Sequence, residues 1–112
     1  MALVQADDYS LDKISAALDN LVTLLGDWDN LIGDGRKVLL KPNLLGAQPP
    51  ERAVTTHPVL VEAVARSLQK WGAEVAVGDS PAGALKGVKY VVERTGIADV
   101  AKRLDIPIVS LE

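Results

Sequence analysis

The run Val38-Leu39-Leu40, followed at once by Lys41-Pro42-Asn43, constrains this chain more than any other stretch. Three consecutive apolar residues fit a short strand buried on both faces, as in a parallel sheet covered by helices. Proline cannot continue the ladder, so the strand ends where the polar groups begin. Open α/β sheets hold ligands beyond the carboxyl ends of their strands, which places Lys41 and Asn43 where a site is expected. A second such end follows, because Val75-Ala76-Val77 discharges into Gly78-Asp79-Ser80-Pro81. Two strand ends can thus present lysine, asparagine, aspartate and serine to one crevice.

The segments around these strands read as helices. Ser10 is a fitting N-cap, Tyr9 and Ile14 have the spacing of a hydrophobic staple, and Leu11, Ile14, Leu18, Leu21 and Leu25 recur at threes and fours up to Gly26. Thr55-Thr56-His57-Pro58 opens a second helix, with Thr56 as cap and Pro58 in the first turn. Its apolar face is Leu60, Val61, Val64, Ala65, Leu68 and Trp71, and Gly72 stops it. Val88, Val91 and Val92 predict a third helix ended by Gly96, and Ile97, Val100, Ala101 and Leu104 a fourth. Residues 2–6 are apolar enough for a first strand, and Ile106-Pro107-Ile108-Val109 for a last one.

Alternation of strand and helix predicts an α/β fold: a three-layer sandwich with a small, mostly parallel, Rossmann-like sheet of about four strands, near 37–41, 74–78 and 107–110 in the clearest cases. The 112 residues form a single α/β domain (1–112). The loop from Leu44 to Val54, interrupted by Pro49 and Pro50, is expected to be the most mobile internal segment.

Composition excludes several classes. A net charge of -3 with scattered basic residues argues against nucleic acid. No apolar run approaches the ~20 residues of a membrane span, and no basic, apolar leader opens the chain, so a cytoplasmic protein without a membrane partner is expected. The absence of cysteine rules out disulfides, thiolate nucleophiles and any cysteine-held cluster within the chain. Asp27, Asp29 and Asp34 invite a calcium loop, but Leu31 falls where an oxygen ligand is needed, and a solvated turn is the better reading; no metal is expected.

Lys41 can neutralise a phosphate or carboxylate, or act as a desolvated amine; the plainer reading is a lysine reaching to water. Asn43 serves a turn as readily as a ligand, and Asp79 and Ser80 can be either a turn or a hydroxyl- and anion-binding pair. His57, the only histidine, is either a capping-region bystander or a site residue. Gly78, Gly83 and Gly87 match neither nucleotide-binding fingerprint. The case for a site rests on convergence: Lys41, Asn43, Thr55, Thr56, Asp79 and Ser80 all fall at strand ends or a helix start, with His57 a weaker candidate beside them, and a helix amino terminus adds free N-H groups that favour an anion.

Three stretches in order, Val38-Leu39-Leu40-Lys41-Pro42-Asn43-Leu44, Thr55-Thr56-His57-Pro58 and Gly72-Ala73-Glu74-Val75-Ala76-Val77-Gly78-Asp79-Ser80-Pro81, resemble the amino-terminal part of the domain of unknown function 362 family. The resemblance runs from about Tyr9 to the end. It implies a fragment or short member of a family whose proteins are longer and are often labelled iron-sulfur proteins. Any cluster would then belong to a missing carboxyl-terminal part, and Lys41, Asn43, Thr56, Asp79 and Ser80 would belong to the shared pattern. Leu111-Glu112 fits a native end or the residue of an affinity tag.

Two functions follow as expectations. One is a domain binding a small anionic or hydroxylated ligand, within a redox-associated protein. The other is a non-catalytic interaction or assembly module whose motifs are structural turns, partnered by the missing carboxyl-terminal half or by a second copy in a homo-oligomer.

Overall fold

The computed structural model describes residues 1–34, 36–44, 46–79 and 87–111. In chain order the elements are α1 (Leu11–Leu24), α2 (Asp27–Ile32), β1 (Lys37–Leu40), a 3-10 turn (Pro50–Arg52), α3 (Pro58–Trp71), β2 (Glu74–Asp79), α4 (Gly87–Arg94), α5 (Ile97–Leu104) and β3 (Ile108–Ser110). The strands form a three-stranded sheet in the order β1-β2-β3. Both pairings are parallel, with Val38 beside Val75, Leu40 beside Val77, and Val77 beside Ile108. Parallel pairing is what helical crossovers between successive strands require. The strand expected at 2–6 does not form, so the described residues give three strands rather than four. That segment is largely exposed, and among the described residues no strand pairs with it.

Local chemistry explains most element ends. Ser10 caps α1 by accepting from the Lys13 N-H, and Asp8 accepts from the Ser10 N-H at 2.9 Å. Gly72 and Gly96 take left-handed conformations that let α3 turn into β2 and α4 turn into α5. The turn expected between Gly26 and Gly35 instead contains α2. Asp27 and Asp29 sit in its first turn, where carboxylates favour a helix start, so two of the three aspartates belong to a helix. Trp28 and Ile32 lean from it onto the core, and the Trp28 Nε1-H donates to Ser67 Oγ at 2.8 Å.

One face of the sheet is buried. Val75 and Val77 lie in a continuous aliphatic core with Leu44, Val61, Ala65, Leu68, Val88, Val91, Val92, Ile97, Val100, Ala101 and Ile106, while Val38 and Leu40 pack against it. Helix α1 packs on α3 through Ile14, Leu18 and Val22 around Ala63. Leu60, expected on the buried face of α3, is exposed, and Glu62 is buried there. Its carboxylate is held by Arg66 at 2.8 Å and by Arg103 of α5 at 2.7 Å, which makes a buried charge tolerable. Arg103, more than burial opposes, keeps its carboxyl below the ordinary glutamate range, with Arg66 adding to the effect.

The other face is open. Leu39 is 45% exposed and Val109 37%, although a strand buried on both faces was expected at Val38-Leu39-Leu40. A three-layer sandwich needs a second set of helices over Leu39 and Ala76; the described helices supply the layer over Val75 and Val77.

Candidate functional site

The carboxyl ends of β1 and β2 meet in a tied cluster. Asp79, the last residue of β2, is 5% exposed. Its Oδ1 lies 2.6 Å from Lys41 Nζ, just past the end of β1, and its Oδ2 accepts from the Leu44 N-H at 3.1 Å. Lys41 keeps 63% of its side chain exposed, so the pair has one wet and one buried end. Leu44 is in turn buried in the core, which gives the 42–57 connection an apolar anchor that its sequence did not advertise.

The same connection is closed a second time. The Asn43 N-H donates to Thr56 Oγ1 at 3.0 Å, and the Thr56 N-H donates back to the Asn43 carbonyl at 3.2 Å. Asn43 therefore contributes its backbone, while its side chain is exposed. Thr56, expected to cap α3, is engaged by Asn43 instead. His57 takes the cap, with Nδ1 accepting from the Val59 N-H at 3.1 Å. That bond requires a bare Nδ1 and puts the ring proton on Nε2. Burial pushes the His57 pKa below its ordinary value against a weaker upward pull from Glu51. Tyr9 stacks flat on the imidazole, with ring centroids 3.8 Å apart. Only the isolated aromatic at Tyr9 could have hinted at that contact.

Lys41, Asn43, Thr56 and Asp79 are thus brought together, with His57 beside them. Thr55 is half-buried in the turn before Thr56 and joins none of these bonds. Ser80 lies outside the described residues, as do Pro81 and Gly83. The free N-H groups expected at the start of α3 are taken: Pro58 has none, Val59 donates to His57 Nδ1, and Leu60 and Val61 donate to the His57 carbonyl. An anion here would meet Lys41 rather than a bare helix terminus.

Next to the cluster lies a cavity of about 190 Å³ lined by Leu40, Lys41, Pro42, Thr56, Leu60, Val61 and Val64. Its walls are mostly aliphatic, and Lys41 and Thr56 are the residues of its lining that carry polar side chains. Asp79 is not in the lining. Among the described residues no group of three or more His, Cys, Asp or Glu could hold a metal ion, and the sequence contains no cysteine to hold a cluster.

Fold and site together define an α/β domain with a parallel sheet and a lysine-bearing pocket at its strand ends. The chain belongs to the family described as Domain of unknown function (DUF362), which matches residues 38–112. It is 39% identical over 110 residues to the thylakoid-associated protein sll1697 of Synechocystis sp. (strain ATCC 27184 / PCC 6803 / Kazusa). The match covers 97% of this chain and 33% of that protein, so the chain spans about a third of the curated relative's length. No solved structure matches. No described helix is long and apolar enough to cross a membrane.

Proposed function

We propose that this domain binds a small molecule with an anionic or hydroxylated head and an aliphatic body, as the ligand-binding part of a longer, Rossmann-like family member working in the cytoplasm. The observation that supports it best is the held lysine: Asp79 fixes Lys41 Nζ at 2.6 Å while the Lys41 side chain stays largely exposed beside an aliphatic cavity. An ammonium has three donors, so the contact with Asp79 leaves two for a ligand carboxylate or hydroxyl. Thr56 Oγ1 already accepts from Asn43 and can still donate its own proton. Leu40, Pro42, Leu60, Val61 and Val64 would cover the aliphatic body. Asp79, committed to Lys41 and Leu44, serves the scaffold. Any iron-sulfur chemistry of a longer polypeptide would come from residues outside this chain.

Because Asp79 balances the charge of Lys41, affinity should come from short, oriented hydrogen bonds, and its salt dependence should be mild. The test is calorimetric titration with short aliphatic carboxylates, 2-hydroxy acids and matched alcohols, on the chain and on Lys41→Met well below each melting temperature. Removing the amine should weaken carboxylate binding by about 1.5–3 kcal/mol, the scale of a charge-assisted hydrogen bond. Equal affinity for the two proteins, or for a carboxylate and its uncharged hydrocarbon analogue, would end this reading.

A further inference from the structure

The open face of the sheet carries a second inference, independent of the ligand site. Side chains alternate along a strand, so Lys37 and Leu39 of β1 share this face with Glu74 and Ala76 of β2 and with Val109 of β3. Leu39, Pro107 and Val109 are exposed, and small Ala76 leaves a groove of about 250 Å³ between the flanking side chains. Parallel sheets are covered on both faces almost without exception, because the helices that connect their strands pack there. Here the described helices pack against the Val75 and Val77 side.

We propose that this face is the seat of a second helical layer, supplied by the part of the longer family polypeptide outside the third that this chain matches. Two features favour that occupant. The curated relative has about two-thirds of its length outside the matched region, ample for a helical layer. The face is too small for a second copy to hold by itself: strands of four, six and three residues offer far less than the ~800 Å² per partner of a stable interface. A layer continued in the same polypeptide needs no such area, since its local concentration is set by the connection. The surface also specifies its partner. Lys37 and Glu74 stand side by side at the amino ends of the strands, and the rest is aliphatic. The covering helices should therefore present an aliphatic stripe over Leu39, Ala76 and Val109, with charged residues confined to the end near Lys37.

The chain contains no cysteine, so single cysteines report access directly. Leu39→Cys and Val109→Cys would be reacted with a maleimide in the 112-residue chain and in a chimera where this chain replaces the matched third of the Synechocystis protein, with the exposed Asp12→Cys as control. A cysteine at the matched position of the Synechocystis protein itself, read by peptide mapping, keeps the test decisive should the chimera not fold. Labelling should be fast in the short chain and on the order of tenfold or more slower in the long polypeptides, since a covered site reacts only through local opening. The control should not change. Equal rates in short and long polypeptides would overturn the proposal. Slow labelling of the short chain together with a doubled mass in sedimentation would overturn it too, by showing that a second copy covers the face.

Discussion

The contact between Lys41 and Asp79 can be tested as a thermodynamic unit by comparing urea unfolding of the parent, Lys41→Met, Asp79→Asn and the double variant. Two unit charges about 4 Å apart gain ~4 kcal/mol near a protein surface. The 2.6 Å contact is closer, but water around the 63% exposed Lys41 screens it, and desolvation of Asp79 offsets more. A coupling of about 1–3 kcal/mol remains. The single variants should be unequal. Lys41→Met leaves a buried carboxylate with its charge uncompensated by lysine, at a cost of about 2–3 kcal/mol. Asp79→Asn keeps an oxygen that can accept from the Leu44 N-H and removes the charge, so about 1–2 kcal/mol is expected. A lysine standing free in water would make Lys41→Met nearly neutral; the buried Asp79 partner is what raises the expected cost. Single-variant effects that sum to the double within ~0.5 kcal/mol would refute the clasp.

Two further outcomes follow from other contacts. Because Arg103 and Arg66 hold the folded Glu62 carboxyl below its unfolded pKa of 4.5, its stabilisation should be complete above that value and disappear as pH falls through the folded one. Glu62→Gln should flatten this acid limb and cost about 1–3 kcal/mol at pH 7, measured by denaturant titration at several pH values; an unchanged limb would contradict the assignment. At Gly78 a Cβ would fall against the Val109 carbonyl of the neighbouring strand, so Gly78→Ala should displace β3 and destabilise by about 1–3 kcal/mol. Amide exchange would show it at Leu111, whose N-H donates to the Asp79 carbonyl; protection there equal to that of the parent would argue against it.

Much of this arrangement was legible because each element carries its own local signal. Ser10 and Gly72 mark helix ends by backbone chemistry that acts within a few residues. Val38-Leu39-Leu40 and Val75-Ala76-Val77 mark strands by hydrophobic run length, and their parallel pairing follows from the helix between them. Lys41 and Asp79 could be placed near each other because both end such strands. What failed depends on partners distant in sequence. Leu39 has the apolarity of a buried residue, but burial needs a covering layer, which a run of apolar residues cannot guarantee. Thr56 has the better capping side chain, yet Asn43 engages it and leaves the cap to His57. Glu62 looks like a solvent residue in the helical pattern until Arg103 arrives from α5. The short helix α2 was hidden because aspartates favour both turns and helix starts.

The bond from the Leu44 N-H to Asp79 joins positions 35 apart in sequence, across a 3-10 turn, a fourteen-residue helix and the strand β2. Such a closure gains nothing until β1, α3 and β2 have already assembled, because the entropy of bringing the ends together must be met first. The 42–57 connection, and with it the pocket beside Lys41, is expected to dock after the strands pair and to open before they part. Disturbing Asp79 should act mainly on the rate at which the folded chain comes apart and hardly on the rate at which it forms. Under the proposed function, the pocket's lifetime, rather than the sheet's, would then set how long a ligand could be kept.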